Sequence, residues 1–434
     1  MSCYMRYTRI HAFHFVISAS TLLVSSGCSS ADAIPSSRPG PTGFLVLPPA
    51  TTSSTSAPHP TSGFATSPAT PITTRPLPSP AVLPTVFSSL YALDKEEAIW
   101  RLDASSRTFK RVSPEGVYVR SFAISPSDGA IAYGDYTGAI SIVQPGRKPR
   151  VLLPPELESS GEPLLPIAME FSNSGDSLAF ALHSEGGLEG VPHELLEDVT
   201  SRTGLWIMNM SDMSRYQLVA NQYPTPDNAV SYGHIYTDPT WAPDDQAISL
   251  VVAYWEGWDV AWLFPLGRQS PAAIHDPIQQ DWAGSAWAPD SSGLYLFGKT
   301  YDDVSNLDFA DRTGQSITTY FDGTLRKGYV SSALPIGNSV LFAASIPPDH
   351  VPLLYLGELT GGEFVYSPLP TIGPTCYSLR LTAAPDDATI LVSCSDSAIA
   401  FSTDTGAQTD LTTPLQRDIN PDISRITFKW APQP

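Results

Sequence analysis

The chain has 434 residues, with 43 acidic against 24 basic side chains and a formal net charge of −19. That balance excludes nucleic acid and anionic lipid as direct partners of the folded part. It suits a soluble protein working outside the cytoplasm.

Residues 1–27 read as a secretory signal peptide. Arg6 and Arg9 lie in a basic start without acids, an apolar stretch runs from Phe13 to Val24, and small residues follow. The apolar stretch is too short for a stop-transfer helix. Gly27-Cys28 resembles the lipobox of bacterial lipoproteins, although the position three before the cysteine is Ser25 rather than a large aliphatic residue. The resemblance implies diacylation of Cys28, with the membrane contacted through that anchor alone. Two acyl chains suit stable anchoring. The expected location is the cell membrane, facing the cell surface or the periplasm.

Residues 28–86 are dominated by Pro, Ser, Thr and Ala. Such a segment buries too little surface to offset its ordering entropy, and its prolines favour extended chain. It reads as a tether with a reach on the order of 150 Å, and its composition admits O-glycosylation.

Residues 87–434 carry a repeat. Its phrase is Ile124-Ser125-Pro126-Ser127-Asp128-Gly129, then Phe171-Ser172-Asn173-Ser174-Gly175-Asp176, Trp241-Ala242-Pro243-Asp244-Asp245 and Trp287-Ala288-Pro289-Asp290-Ser291. Weaker copies end on Pro335 and Pro385, and the chain finishes on Trp430-Ala431-Pro432. The markers recur at roughly 47 residues, with one longer step that holds an insertion; this period indicates propeller blades. Pro followed by Asp or Ser predicts a tight turn. A short apolar strand follows each time, as in Leu178-Ala179-Phe180 and Ile390-Leu391-Val392. The phrase resembles the repeat of TolB-like and WD-repeat-like β-propellers, which implies a fold and leaves function open.

The repeat domain opens on strands matching the second, third and fourth of a blade, and it ends on a lone first strand, Arg425–Trp430. The two incomplete ends complement each other and remove both open edges. This arithmetic predicts an all-β, seven-bladed propeller, with six or eight blades as alternatives; a TolB-like domain proper has six. A monomer is expected. Cys376 and Cys394 lie symmetrically about Pro385 and would face each other across a hairpin, predicting a disulfide in the last blade.

Departures from the repeat gather in blades three and four. An insertion near Ser184–Thr203 contains His193 and Glu194, and the following crossover is long. The hairpin Tyr254-Trp255-Glu256-Gly257-Trp258-Asp259 puts two Trp at a strand tip. These residues predict a recognition face with aromatic anchors and an acidic rim; the alternative is that the insertion folds down as a local satellite core. No G-x-S-x-G or H-E-x-x-H occurs, and no cofactor or metal is expected. The acidic pairs Asp244-Asp245 and Asp386-Asp387 read as turn formers. The sequence therefore favours a binding or scaffold module for a protein, peptide or glycan. The alternative is a propeller enzyme (a lyase, lactonase or glycan-active enzyme) with its site near the central channel. There the inner strands offer Arg120, Glu170, Asp238, Asp281, Arg380 and Lys429.

Overall fold

Each blade begins at its turn. In Trp241–Asp245 the ring of Pro243 fixes the first corner, Asp245 N donates to Ala242 O at 2.9 Å, and Asp245 takes φ 57°. Ser291 occupies the same place in the next copy at φ 60°. In blade three the place belongs to Gly175 at φ 78°, and in blade two, where the turn is one residue longer, Gly129 closes it at φ 67°, because glycine enters the left-handed region without strain.

The computed structural model describes residues 89–431, with breaks at 159–160, 185–192, 224–233, 255–256, 267–271, 274–281, 283, 299–303, 348–351, 370–378, 387, 420–422 and 424–425. The side chains of residues 193, 254, 257–263 and 272–273 stand outside the description as well. The described residues form seven four-stranded antiparallel sheets. Their inner strands, in blade order, are Thr427–Trp430, Val119–Ile124, Leu164–Phe171, Ile235–Trp241, Gly284–Trp287, Tyr329–Ile336 and Arg380–Ala383. The chain is an all-β, seven-bladed β-propeller. Blade one is closed as the sequence predicts: Leu90 pairs with Trp430, Ala92 with Phe428 and Leu93 with Thr427.

The core lies between blades. Seven apolar clusters each draw on two neighbouring blades, and together they go once round the ring. The strand Ser177–Ser184 shows how one sequence serves two interfaces. Its alternation sends Leu178, Phe180 and Leu182 toward blade two, and the small Ala179 and Ala181 toward Trp241 of blade four. Both faces are covered, so the strand reads as a continuous apolar run. Phe180 is fully buried, and burial of such a side chain is worth about 1.5–3 kcal/mol. The tryptophans two before the marker also tie blades by hydrogen bonds. Trp241 Nε1 donates to Glu170 O at 3.2 Å, and Trp287 Nε1 donates to Thr240 O at 3.0 Å.

Two features differ from expectation. The insertion of blade three holds a helix, α1 (His193–Arg202), which the strand-based reading did not foresee. In the last blade Arg380 pairs with Ser393 and Ala383 with Ile390, and Ala384 N donates to Thr389 O at 2.8 Å. Continued one step outward, that register sets Leu379 opposite Cys394, where symmetry about Pro385 had set Cys376. The reason is the turn itself. Pro385 takes its first corner and Asp386 holds the far side, accepting from Ala388 N and Thr389 N at 3.2 and 2.9 Å, so the hairpin centre falls after the marker. Cys394 is buried; Cys376, with Cys28 and the whole of residues 1–88, lies outside the described residues.

Candidate functional site

Three places concentrate polar side chains: the rim formed by the marker turns, the opposite face over blade three, and the channel between the inner strands.

The rim is saturated. Both carboxylate oxygens of Asp245 cross to the turn of blade three, accepting from Asn173 N at 2.6 Å, Asn173 Nδ2 at 2.8 Å and Ser174 N at 2.8 Å. Asp244 turns the other way, pairing with Arg312 of blade five while its own N–H donates to Ser291 Oγ at 3.0 Å. The guanidinium holds the Asp244 carboxyl below its usual range. Asp244 and Asp245 thus act as turn formers and inter-blade clasps, which leaves them no role as an acid–base pair.

Over blade three the insertion folds down. Val199 of α1 and Tyr223 of the following crossover form a satellite core with Leu195 and Leu196 against it. Beneath them Tyr223 Oη donates to Thr203 Oγ1 at 2.9 Å. The buried Asn221 donates to Leu182 O at 3.2 Å and accepts from Tyr236 N at 3.0 Å. Every one of these contacts pins the crossover to the blade. His183 is buried alongside, and its Nδ1 has no hydrogen-bond partner among the described residues. Burial, with Arg120 adding to it, pushes the imidazole down to about 3, so it is neutral at physiological pH. Of the predicted recognition residues, Glu194 is exposed on the first turn of α1 and His193 begins that helix. Tyr254 ends one strand of blade four, and Trp258 and Asp259 lie in the next (Gly257–Pro265), in a hairpin where Tyr254 pairs with Gly257. Trp255 lies outside the described residues. Their side chains are therefore not assembled into a described patch.

The channel holds the remaining charges. Lys429, on the inner strand that closes blade one, reaches past the Phe122 ring of blade two at 5.9 Å. It ion-pairs with Glu170 of blade three and donates to Met169 O at 3.2 Å. One side chain thereby bridges three blades. From blade four Asp238 faces the same ammonium. The Asp238 side chain is exposed. Its backbone is left-handed, at φ 45°, inside a register shift between Thr237 and Thr240. That conformation costs of order 1–3 kcal/mol for a residue with a side chain. Pro239, which has no N–H to give the ladder, fits such an irregularity on an edge strand. Burial pushes the Asp238 carboxyl above its ordinary value, and Lys429 only partly opposes this. No hydrogen bond reaches the carboxylate from the described residues. Arg380, on the inner strand of blade seven, is lowered by burial, and it and Arg120 both have interaction partners. Asp281, the remaining channel acid expected from sequence, lies outside the described residues. Among the described residues no group of three or more His, Cys, Asp or Glu is placed to hold a metal ion.

No family model matches the chain, and no curated protein sequence matches it. Solved structures similar to it share little sequence. TolB from Acinetobacter baumannii is 15% identical at a TM-score of 0.37, with 66% of this chain and 65% of that one covered. A protein from Lactobacillus plantarum is 13% identical at 0.46, covering 79% and 99%. A prolyl endopeptidase is 10% identical at 0.49, covering 73% of this chain and 46% of its own. The chain thus spans just under two thirds of the TolB structure and less than half of the endopeptidase. The propeller assignment rests on the sheet order, and none of these likenesses bears on function.

Proposed function

We propose that the chain is an extracytoplasmic binding or scaffold module for a protein, peptide or glycan, lipid-anchored at Cys28 and held on the tether of residues 28–86. The observation that carries the reading is the contrast between the regular four-stranded blades and the helix and pinned crossover added over blade three. A ring built only as a spacer has no use for α1, for the pinned crossover or for a hairpin tip bearing Trp255 and Trp258. The basic start, short apolar stretch and Gly27-Cys28 support the anchor, and the Pro/Ser/Thr-rich composition supports the tether.

Affinity capture from an envelope extract with the full chain tests this reading. Replacing Trp255 and Trp258 with Ala should abolish retention of the captured partner while the melting temperature stays within a few degrees of the parent. Capture that is unchanged by the double variant sinks the recognition face. A collapsed melting temperature instead assigns both tryptophans to the satellite core.

The same proposal includes a disulfide between Cys376 and Cys394, in keeping with an oxidising compartment. Peptide mapping without reductant should recover the two cysteines in one linked species; recovery of two thiols overturns it.

A further inference from the structure

His183 is an imidazole sealed in without a partner for its Nδ1. It is the last residue but one of the strand Ser177–Ser184 and is 5% exposed, with Nδ1 itself cut off from solvent. The alternation of its strand sets it on the face of Ala179 and Ala181, toward blade four. The cover over this end of the strand is α1 together with Asn221–Tyr223. Thr203 N, just after α1, donates to Val199 O at 2.9 Å, and Asn221 N donates to Thr203 O at 3.2 Å. The Asn221 side chain donates to Leu182 O, one residue before His183. Described titratable groups on the surrounding elements are Arg120 and Tyr136 of blade two, Glu158 of the connection into blade three, Tyr223 and His234 of the following crossover, and Tyr236 of blade four. The helix α1 adds Glu194, Glu197, Asp198 and Arg202, the last two paired at 3.7 Å. Of all these, Arg120 is the one whose charge acts on the imidazole, and its sign opposes protonation. Glu158 acts on Tyr223 instead. No carboxylate among the described residues compensates a charged His183. A buried, unpartnered imidazolium is costly, so the ring takes up a proton only in a conformation that lets water in.

We propose that His183 is an acid-operated release for the cover of blade three: with the imidazole neutral, α1 and Asn221–Tyr223 stay shut on the strand, and a proton taken from solvent when they lift holds them open. The release is independent of what the face over blade three binds. It is local because the cover rests on a small satellite core, Val199 and Tyr223 with Leu195 and Leu196, and on a few hydrogen bonds, whereas each blade is packed on both faces. The sign follows from the two states of the ring. Closed, burial holds the imidazole down at about 3; open, it returns to the ordinary histidine value of 6.5. The closed state is favoured in full above the ordinary value, and that preference falls about tenfold for each pH unit below it until the closed value is reached. An apolar residue in the same place would keep the cover shut at every pH.

Hydrogen-exchange mass spectrometry on the full chain tests the release. Opening of Thr203–Trp206, Asn221–Tyr223 and His234–Tyr236 is compared with that of Leu90–Leu93 in blade one, after correction for the intrinsic exchange rate at each pH. Between pH 7 and pH 5 the opening of the cover should rise roughly twentyfold, as the linkage of one such imidazole requires, while blade one does not follow. His183→Gln should abolish the rise, and His183→Leu serves the same purpose should the Gln variant misfold. His234→Gln, at the half-buried histidine of the crossover, should leave the rise in place. A rise that survives in the His183 variants, or its absence from the parent, overturns the proposal. Opening of blade one in step with the cover overturns it as well, because the effect is then that of the whole ring. Exchange of the C2 hydrogen of His183 in the parent chain reads its titration without any substitution: a strongly depressed midpoint supports the release, and a midpoint at the ordinary histidine value overturns it.

Discussion

Asp245 and Asp238 lie in one blade and share a left-handed backbone, at φ 57° and 45°, yet they do opposite things. On the rim, Asp245 is bound by three donors from blade three. On the inner strand, Asp238 is exposed and has no donor among the described residues. A strained backbone by itself therefore says nothing about function. What separates the two acids is whether their hydrogen-bonding capacity is spent inside the fold. The rim acid uses its conformation to clasp blades together, and the inner-strand acid leaves its carboxylate exposed.

The comparison breaks most readily at the rim. Asp245→Ala should destabilise the ring by about 2 kcal/mol, the usual worth of charge-assisted hydrogen bonds lost at one carboxylate. Urea denaturation would measure it. Asp245→Gly relieves the backbone while still losing the bonds, so a variant as stable as the parent would show the clasp to be idle.

In the channel the sign reverses. Burial raises the Asp238 carboxyl in the folded state. The stabilisation from keeping it protonated is complete below its unfolded value of about 3.9 and is lost as pH rises through the raised folded value. At neutral pH the parent therefore carries a penalty that Asp238→Asn removes. The variant should melt higher at pH 7, and the gain should fade as pH approaches the unfolded carboxylate value. Melting curves across pH that run parallel for the two proteins would refute it. The smallest effect belongs to Asp244→Ala. Its partner Arg312 and its own side chain are each about a third exposed, so loss of that pair should cost less than about 1 kcal/mol.

Much of the fold could be read from sequence because the same physics repeats. A Pro at a first corner, an acid or glycine after it and an alternating apolar strand are local signals, and each recurs. The closing strand was legible because its blade was one strand short at one end and one strand over at the other. Helix α1 was harder. Leu195, Leu196 and Val199 give it an apolar side, but that side finds its partner in Tyr223 of the crossover, and nothing local announces the meeting. The hairpin centre in blade seven was misplaced because symmetry about a proline ignores which corner the proline takes. At the candidate site, sequence placed Asp238, Glu170 and Lys429 on inner strands. It could not distinguish the committed pair from the uncommitted acid, because that depends on reach across three blades and on a register shift at Pro239.

The seal of blade one also bears on how the molecule is made. Pairings within blades two to seven join strands close in sequence, so each can form from its own segment of chain. The strand Leu90–Leu93 must wait for Thr427–Trp430, which is synthesised after every other strand of the ring. Until then the growing chain exposes an unpaired edge at either end, and the final step is the slow, long-range one. The seal is thus a pairing that needs both ends of the repeat domain at once, and the edges of blade one stay open until it forms.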